Sequence, residues 1–217
     1  MAASATSSCS SLTISSVSTP GTSPGTSCQN SKLQFKKVTA KIDSKTDNSV
    51  RDGDRISRKA KPGSTVEIKA EVENQYNSTD PDIQDITVTT TLEGLDHGDD
   101  FEDESREFDL SPGHSKKLTF KFDVPNDAEE DTYSVKIEAE GEDENSNRQT
   151  CNFDADLEVQ REKHDLRISS LDVVPNKGNC TESASAPIRI INIGQEDETA
   201  LVEVSNNFGY VQRFENI

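Results

Sequence analysis

The chain has 217 residues, 30% hydrophobic and 5% aromatic with no tryptophan, and a formal net charge of −18 at pH 7. That length holds one or two domains, and the acidity, with basic residues scattered and not interleaved with aromatics, excludes nucleic acid and anionic membranes as fitting partners. No apolar run is long enough to cross a bilayer and no basic-then-apolar leader opens the chain, so no direct membrane insertion is expected and neither a signal peptide nor an anchor is visible.

Residues 1–31 carry no charged side chain and are dominated by Ser and Thr, with Pro20 and Pro24. Such a segment cannot bury enough apolar surface to fold alone, and it reads as a tail or linker open to O-glycosylation. Composition changes at Lys32, where a domain over 32–162 is expected to begin. From there the apolar residues recur with a period of two, which marks strands buried on one face. The first strand, Leu33 to Ile42, changes phase between Phe35 and Val38, predicting a bulge or an edge position. Further strands carry Ile68, Ala70 and Val72; then Ile86, Val88, Thr90 and Leu92; then, weakly, Phe101 to Leu110. The last three carry Leu118, Phe120, Phe122 and Val124; Tyr133, Val135, Ile137 and Ala139; and Cys151, Phe153, Ala155, Leu157 and Val159. Lys61-Pro62-Gly63-Ser64 and Ser111-Pro112-Gly113-His114 place Pro second and Gly third, as type II turns require. Glu142 to Asn147 reads as a polar loop. Seven short strands with such turns predict an all-β, immunoglobulin-like β-sandwich.

A polar hinge, Arg161 to His164, ends this domain, and residues 163–217 read as a partial second module. Leu166 to Leu171 opens it. Ala186, Ile188, Ile190 and Asn192 then repeat the spacing of Ile68, Ala70, Val72 and Asn74, and Val202 and Val204 fall on a third strand. Leu12 to Val17, followed by Pro20 and Cys28, echoes Leu166 to Leu171, followed by Pro175 and Cys180, so the tail also reads as the start of an earlier module in a tandem array. A half-built sandwich leaves strand edges open, and β-strand addition by Leu12 to Val17 of a neighbouring chain is one way to fill them.

The run Lys61 to Asn74 resembles the opening of a CARDB-type, immunoglobulin-like adhesion module, and Ile188 to Gly194 is similar to the same point in another copy. Phe108 to Gly113 and Asp131 to Val135 resemble its later strands, and the acidic Ala139 to Asn145 is similar to S-layer and surface proteins of small uncultured archaea. The resemblance implies an exported, extracellular protein of tandem modules. Its partners would be other surface-protein modules or further copies of itself.

Candidate sites are few. His97, His114 and His164 have no metal-type neighbours in sequence and read as surface residues. No phosphate loop or nucleophile elbow occurs, so no catalytic residue is expected. Carboxylate oxygens from Asp96, Asp99, Asp100 and Glu102, or from Asp143 with Asn145 and Asn147, form the two sets from which a surface Ca²⁺ site could draw ligands. Arg148 stands where an EF-hand needs glycine, which excludes that motif. No other cofactor is expected. Cys9, Cys28, Cys151 and Cys180 lack zinc spacing and allow two disulfides in three connectivities. Asn77 and Asn179 head N-glycosylation sequons. The sequence reads as a non-catalytic structural or adhesive module of a cell-surface, S-layer-like protein. The alternative is a glycan- or protein-binding accessory module.

Overall fold

The structure is a computed structural model that describes residue 28 and residues 30–171, 187–205 and 211–214. In chain order the strands are β1 (Leu33–Ile42), β2 (Lys45–Val50), β3 (Asp54–Arg55), β4 (Thr65–Asn74), β5 (Ile83–Asp96), β6 (Asp99–Glu104) and β7 (Phe108–Leu110). They continue as β8 (Ser115–Asp123), β9 (Asp131–Asp143), β10 (Arg148–Val159), β11 (Leu166–Leu171), β12 (Ile188–Asn192), β13 (Val202–Ser205) and β14 (Val211–Phe214). The fold is all-β. One sheet has the order β2-β1-β4-β8, and the facing sheet has the order β3-β10-β9-β5-β6 with β7 also paired to β5. Together they form an immunoglobulin-like sandwich.

The period of two decides what faces the core. On β4, Val66, Ile68, Ala70 and Val72 are buried, and on β9 Val135, Ile137 and Ala139 are buried, while the intervening residues face solvent or its margin. β10 does the same with Cys151, Phe153, Ala155, Leu157 and Val159. Both Pro-Gly turns form as expected. Ser64 N donates to Lys61 O over 2.9 Å with Gly63 at φ +76°, and His114 N donates to Ser111 O over 3.0 Å with Gly113 at φ +73°.

The bulge in β1 is present between Phe35 and Lys37, but β1 is an inner strand, so the phase change marks a bulge and not an edge. The seven expected strands become ten. β2 is polar and carries no alternation, and β3 is two residues long, so neither has a periodic signal. The weak strand from Phe101 to Leu110 divides into β6 and β7, both laid against β5. After β2 the chain crosses between the sheets. β3 then runs parallel to β10, and Ala60 bridges Val159 in the same sense.

One core position conflicts with its surroundings. Thr90 is fully buried on the inward face of β5, and its hydroxyl has no hydrogen-bond partner. An orphaned buried hydroxyl is destabilising. Thr90→Val therefore stabilises the sandwich by about 1 kcal/mol, read as an upward shift of the urea midpoint at unchanged slope.

Beyond the sandwich, β11 and β12 form one antiparallel pair and β13 and β14 another. The β11–β12 pair repeats the register of β1–β4. Leu33 opposes Asn74 as Leu166 opposes Asn192, and Phe35 opposes Val72 as Ile168 opposes Ile190. Each pair skips one residue at the same point, after which Val38 opposes Ala70 as Leu171 opposes Ile188. The flanking bonds match as well. Gln75 N donates to Lys32 O over 2.8 Å, and Ile193 N donates to Asp165 O over 2.9 Å. Tyr76 N donates to Asn74 Oδ1, and Gly194 N donates to Asn192 Oδ1, two residues on in each case.

Candidate functional site

At one end of the sandwich the starts of β1 and β10 meet the ends of β4 and β9. Three polar side chains that the alternation turns inward, Asp143, Gln149 and Asn74, gather there with Tyr76, which follows β4. The two inner-face residues closest to the β9–β10 turn are Asp143 and Gln149, each 4% exposed. Asp143 Oδ1 accepts from the backbone N–H of Asn145 and of Asn147, each over 2.9 Å, and from Asn147 Nδ2 over 3.1 Å. Its Oδ2 accepts from Asn147 Nδ2 over 3.0 Å and from the Tyr76 hydroxyl over 2.8 Å. Gln149 Nε2 reaches the same hydroxyl at 3.4 Å, and Gln149 Oε1 accepts from Lys32 N over 2.8 Å. Asn74 is fully buried; its Nδ2 donates to Leu110 O across to the other sheet over 2.9 Å.

The Asn147 side chain and backbone donors, with Tyr76 and Asn145 behind them, hold the Asp143 carboxyl at about 2, well below the usual carboxylate range. Burial and the facing Asp143 charge push the Tyr76 hydroxyl up. A lowered folded pKa means that the ionised form stabilises the fold. That stability is complete above the unfolded pKa near 4 and is lost as pH falls through about 2. Asp143→Asn is expected to flatten this stretch of the stability–pH curve, measured by denaturant unfolding at half-unit steps. Glu138 and Asp154 act in the opposite sense. Their pKa values are raised, chiefly by desolvation and then by neighbouring Glu140 and Asp52 respectively, so protonating them relieves a strain.

These bonds also decide what Asp143, Asn145 and Asn147 do. Asp143 is occupied by donors from its own turn, and Asn147 presents its amide nitrogen to it, so the three do not offer a converging set of oxygens. The other carboxylates lie along the β5–β6 hairpin. His97 and Gly98 both have positive φ, as a tight two-residue turn between Asp96 and Asp99 requires. Asp96 bonds His97 Nδ1 over 3.0 Å, and Asp100 caps Gly94 N over 2.7 Å. Asp99 and Glu102 point into solvent. Among the described residues no three His, Cys, Asp or Glu side chains gather as metal ligands do.

The histidines are exposed. Hydrogen bonding to Asp96, with Asp127 behind it, raises the His97 pKa. His114 faces the Pro112 carbonyl, and His164 is bonded to Glu198. Among the described residues the histidine side chains are bonded to carboxylates or a backbone carbonyl and not to a Ser, Thr or Cys side chain.

Cys28 and Cys151 form a disulfide that ties the segment before β1 to β10. Gln34 Nε2 donates to the carbonyls of both Cys28 and Ser31 over 2.9 Å, so these residues are fastened to the sandwich ahead of Lys32. Cys9 and Cys180 lie outside the described residues, as do Leu12 to Val17 and Asn179. Asn77 is exposed in a turn closed by Asp80 N donating to Asn77 O over 2.9 Å, with Asn77 N–H donating to the Asp80 carboxylate. Beside the disulfide lies an open groove of about 430 Å³, floored by Phe35 and Phe153 and rimmed by Lys36, Lys37 and Arg51. The two rings meet edge to face with centroids 6.0 Å apart.

Sequence reasoning missed the Tyr76–Asp143–Gln149–Asn74 group. Extending the alternation of β9, β10 and β4 to their ends would have placed Asp143, Gln149 and Asn74 inside.

No family model matches the chain, and no curated protein matches it. Among solved structures it is similar to the C-terminal domain of Wzt, at 9% identity and a TM-score of 0.44 over 61% of this chain and 75% of that one. It is also similar to the ASH/PapD-like domain (PapD-like domain 7) of human CEP192, at 18% identity and a TM-score of 0.35 over 70% of this chain and 98% of that one. A third is Spo0M, the sporulation control protein of Bacillus subtilis, at 12% identity and a TM-score of 0.31 over 79% and 75%. None of the three is similar enough to lend its function. Among the described residues no helix is long and apolar enough to cross a membrane.

Proposed function

We propose that the protein is a non-catalytic structural or adhesive component of a tandem-repeat, S-layer-like cell surface, in which residues 163–217 begin a second immunoglobulin-like module. The observation that carries this reading is the repeated register of β1–β4 and β11–β12, with the bulge and the Asn-capped exit at the same places. Two unrelated strand pairs have no reason to share all three, whereas copies of one module do. The Cys28–Cys151 disulfide supports an extracellular setting, because such bonds persist in oxidising compartments. The exposed Asn77 sequon agrees with export.

Size-exclusion chromatography with light scattering, run in Ca²⁺ and then in chelator, tests the role. Assembly in either condition is expected of a surface-array component, and dependence on Ca²⁺ would return attention to the carboxylates of the β5–β6 hairpin. A monomer in both conditions counts against self-assembly.

The Phe35–Phe153 groove favours the second reading, an accessory module that binds a glycan or a protein. Titrating soluble oligosaccharides while following the NMR signals of these two rings would decide it.

A further inference from the structure

The two outer faces of the first sandwich carry the same charge pattern with the signs exchanged. On the face of β1, β4 and β8, register sets Lys41 and Lys121 on either side of Glu67, and Lys69 bonds Glu67 over 2.7 Å. The Lys69 bond first, and then the charges of Lys41 and Lys121, hold this carboxyl below the usual range. On the face of β10, β9 and β5 a lysine takes the centre. Lys136 bonds Glu93 over 2.5 Å and stands opposite Asp154. The Glu93 bond, and then the charges of Asp154 and Asp100, raise its pKa. One face thus presents cation–anion–cation across three strands, and the other anion–cation–anion.

Neither face is neutral. On the first, Glu71 and Glu73 are paired to Lys117 and Lys36, while Lys37, Lys41 and Lys121 form no salt bridge among the described residues. On the second, Lys136 and Arg148 are taken by Glu93 and Glu140, while Glu138, Asp154 and Asp156 form no salt bridge among the described residues. Glu138 and Asp154 have raised pKa values, as carboxylates lacking a counter-charge do. The faces point away from each other across the core, so they cannot satisfy one another within one copy. Nor do the residues outside the described set supply the missing charge: their charged side chains are Asp172, Lys177, Glu182 and Glu215, of both signs and too few.

We infer that the lysine face of one copy is the docking surface for the acidic face of the next, with Lys41 and Lys121 set against Asp154 and Glu93, and Lys136 against Glu67. Such a contact is head-to-tail, so each added copy leaves one face of each sign open and the stack can grow. Four strands of about nine residues offer about 600 Å² a side, the low end for a specific interface. The overall charge of −18 opposes the approach, but at physiological salt that field is screened beyond about 8 Å, whereas ion pairs across a contact are not. The inference deepens the array reading by naming the contact, and it rests on that reading in taking the partner to be a further copy.

The test uses the full chain at physiological salt. A carbodiimide that joins touching amines and carboxylates is applied to an equal mixture of unlabelled and ¹⁵N-labelled copies. Mixed-isotope links from Lys41, Lys69 or Lys121 to Glu93, Asp154 or Asp100 are expected. Sedimentation equilibrium should show association with a Kd on the order of 100 µM, lost in about 1 M salt. Lys41→Glu with Lys121→Glu removes one face, and Glu138→Lys with Asp154→Lys removes the other. Each double variant alone should associate at least about tenfold more weakly, and mixing the two should restore association, because one intact face of each sign is then present. Recovery on mixing also shows that both variants are folded. Links confined to other residues, undiminished association of both variants, or no recovery on mixing would each overturn the inference. Undiminished association leaves the array reading standing without this contact. A chain that is monomeric in light scattering yet gives the expected links at high concentration keeps the contact and counts against the array, so the two readings fail separately.

Discussion

Replacing Cys28 by alanine should lower the stability of the sandwich by about 3–5 kcal/mol, the largest effect expected of any single substitution here. The crosslinked residues are separated by 123 positions, so the disulfide forbids the unfolded chain a large share of its conformations. It also joins the start of the domain to its last strand, where no backbone ladder connects them. Cys151 is fully buried, so a free thiol left there is a small buried hydrophobe at little further cost. For a domain of this size the loss corresponds to about 10–15 °C in melting temperature. Scanning calorimetry of the oxidised protein, the same protein with reductant, and Cys28→Ala checks it. The last two should melt together and well below the first. A gap under about 3 °C would mean that the sandwich does not depend on this bond.

The second large effect is expected at Asn74. This side chain is fully buried at the end of β4 and holds two backbone groups at once, the Tyr76 N–H and the Leu110 carbonyl. The first fixes the exit of β4, and the second stitches that sheet to β7 in the other. Asn74→Ala orphans both and leaves a void, which costs about 2–4 kcal/mol. The loss should also reach the polar group next door, because Tyr76 is held by the turn that Asn74 makes. In a double-mutant cycle with Tyr76→Phe the two losses should fall short of additivity. Asn192 makes the equivalent bond to Gly194 N but is exposed, and water replaces its partners on truncation. Asn192→Ala is therefore expected to change stability by no more than about 0.5 kcal/mol. Urea unfolding of the three variants distinguishes these expectations.

The architecture was legible wherever a strand had one dry and one wet face. Alternation on β4, β5, β8, β9 and β10 identified the inward residues, and the Pro-Gly pairs gave two turns by their backbone preferences alone. What escaped had no period to read. β2 is a polar edge strand, and β3 is held by two residues against β10. The Cys28–Cys151 pairing was one of several connectivities, since spacing does not encode which strands come together. The polar end of the sandwich was legible only in part. Asp143 was assigned to a loop as a Ca²⁺ ligand because its neighbours Glu142 and Glu144 are charged, although its phase on β9 is that of Ile137 and Ala139. Local composition outweighed periodicity there, and the fold follows periodicity.

Five of the six residues of β6 are acidic, and β6 is the outermost strand of its sheet. A second sheet approaching that rim in register would set carboxylate against carboxylate along its whole length. At neutral pH the rim is therefore closed to the sideways growth that produces β-aggregates. Those carboxylates turn the most exposed rim of the sheet into a surface that repels its own kind.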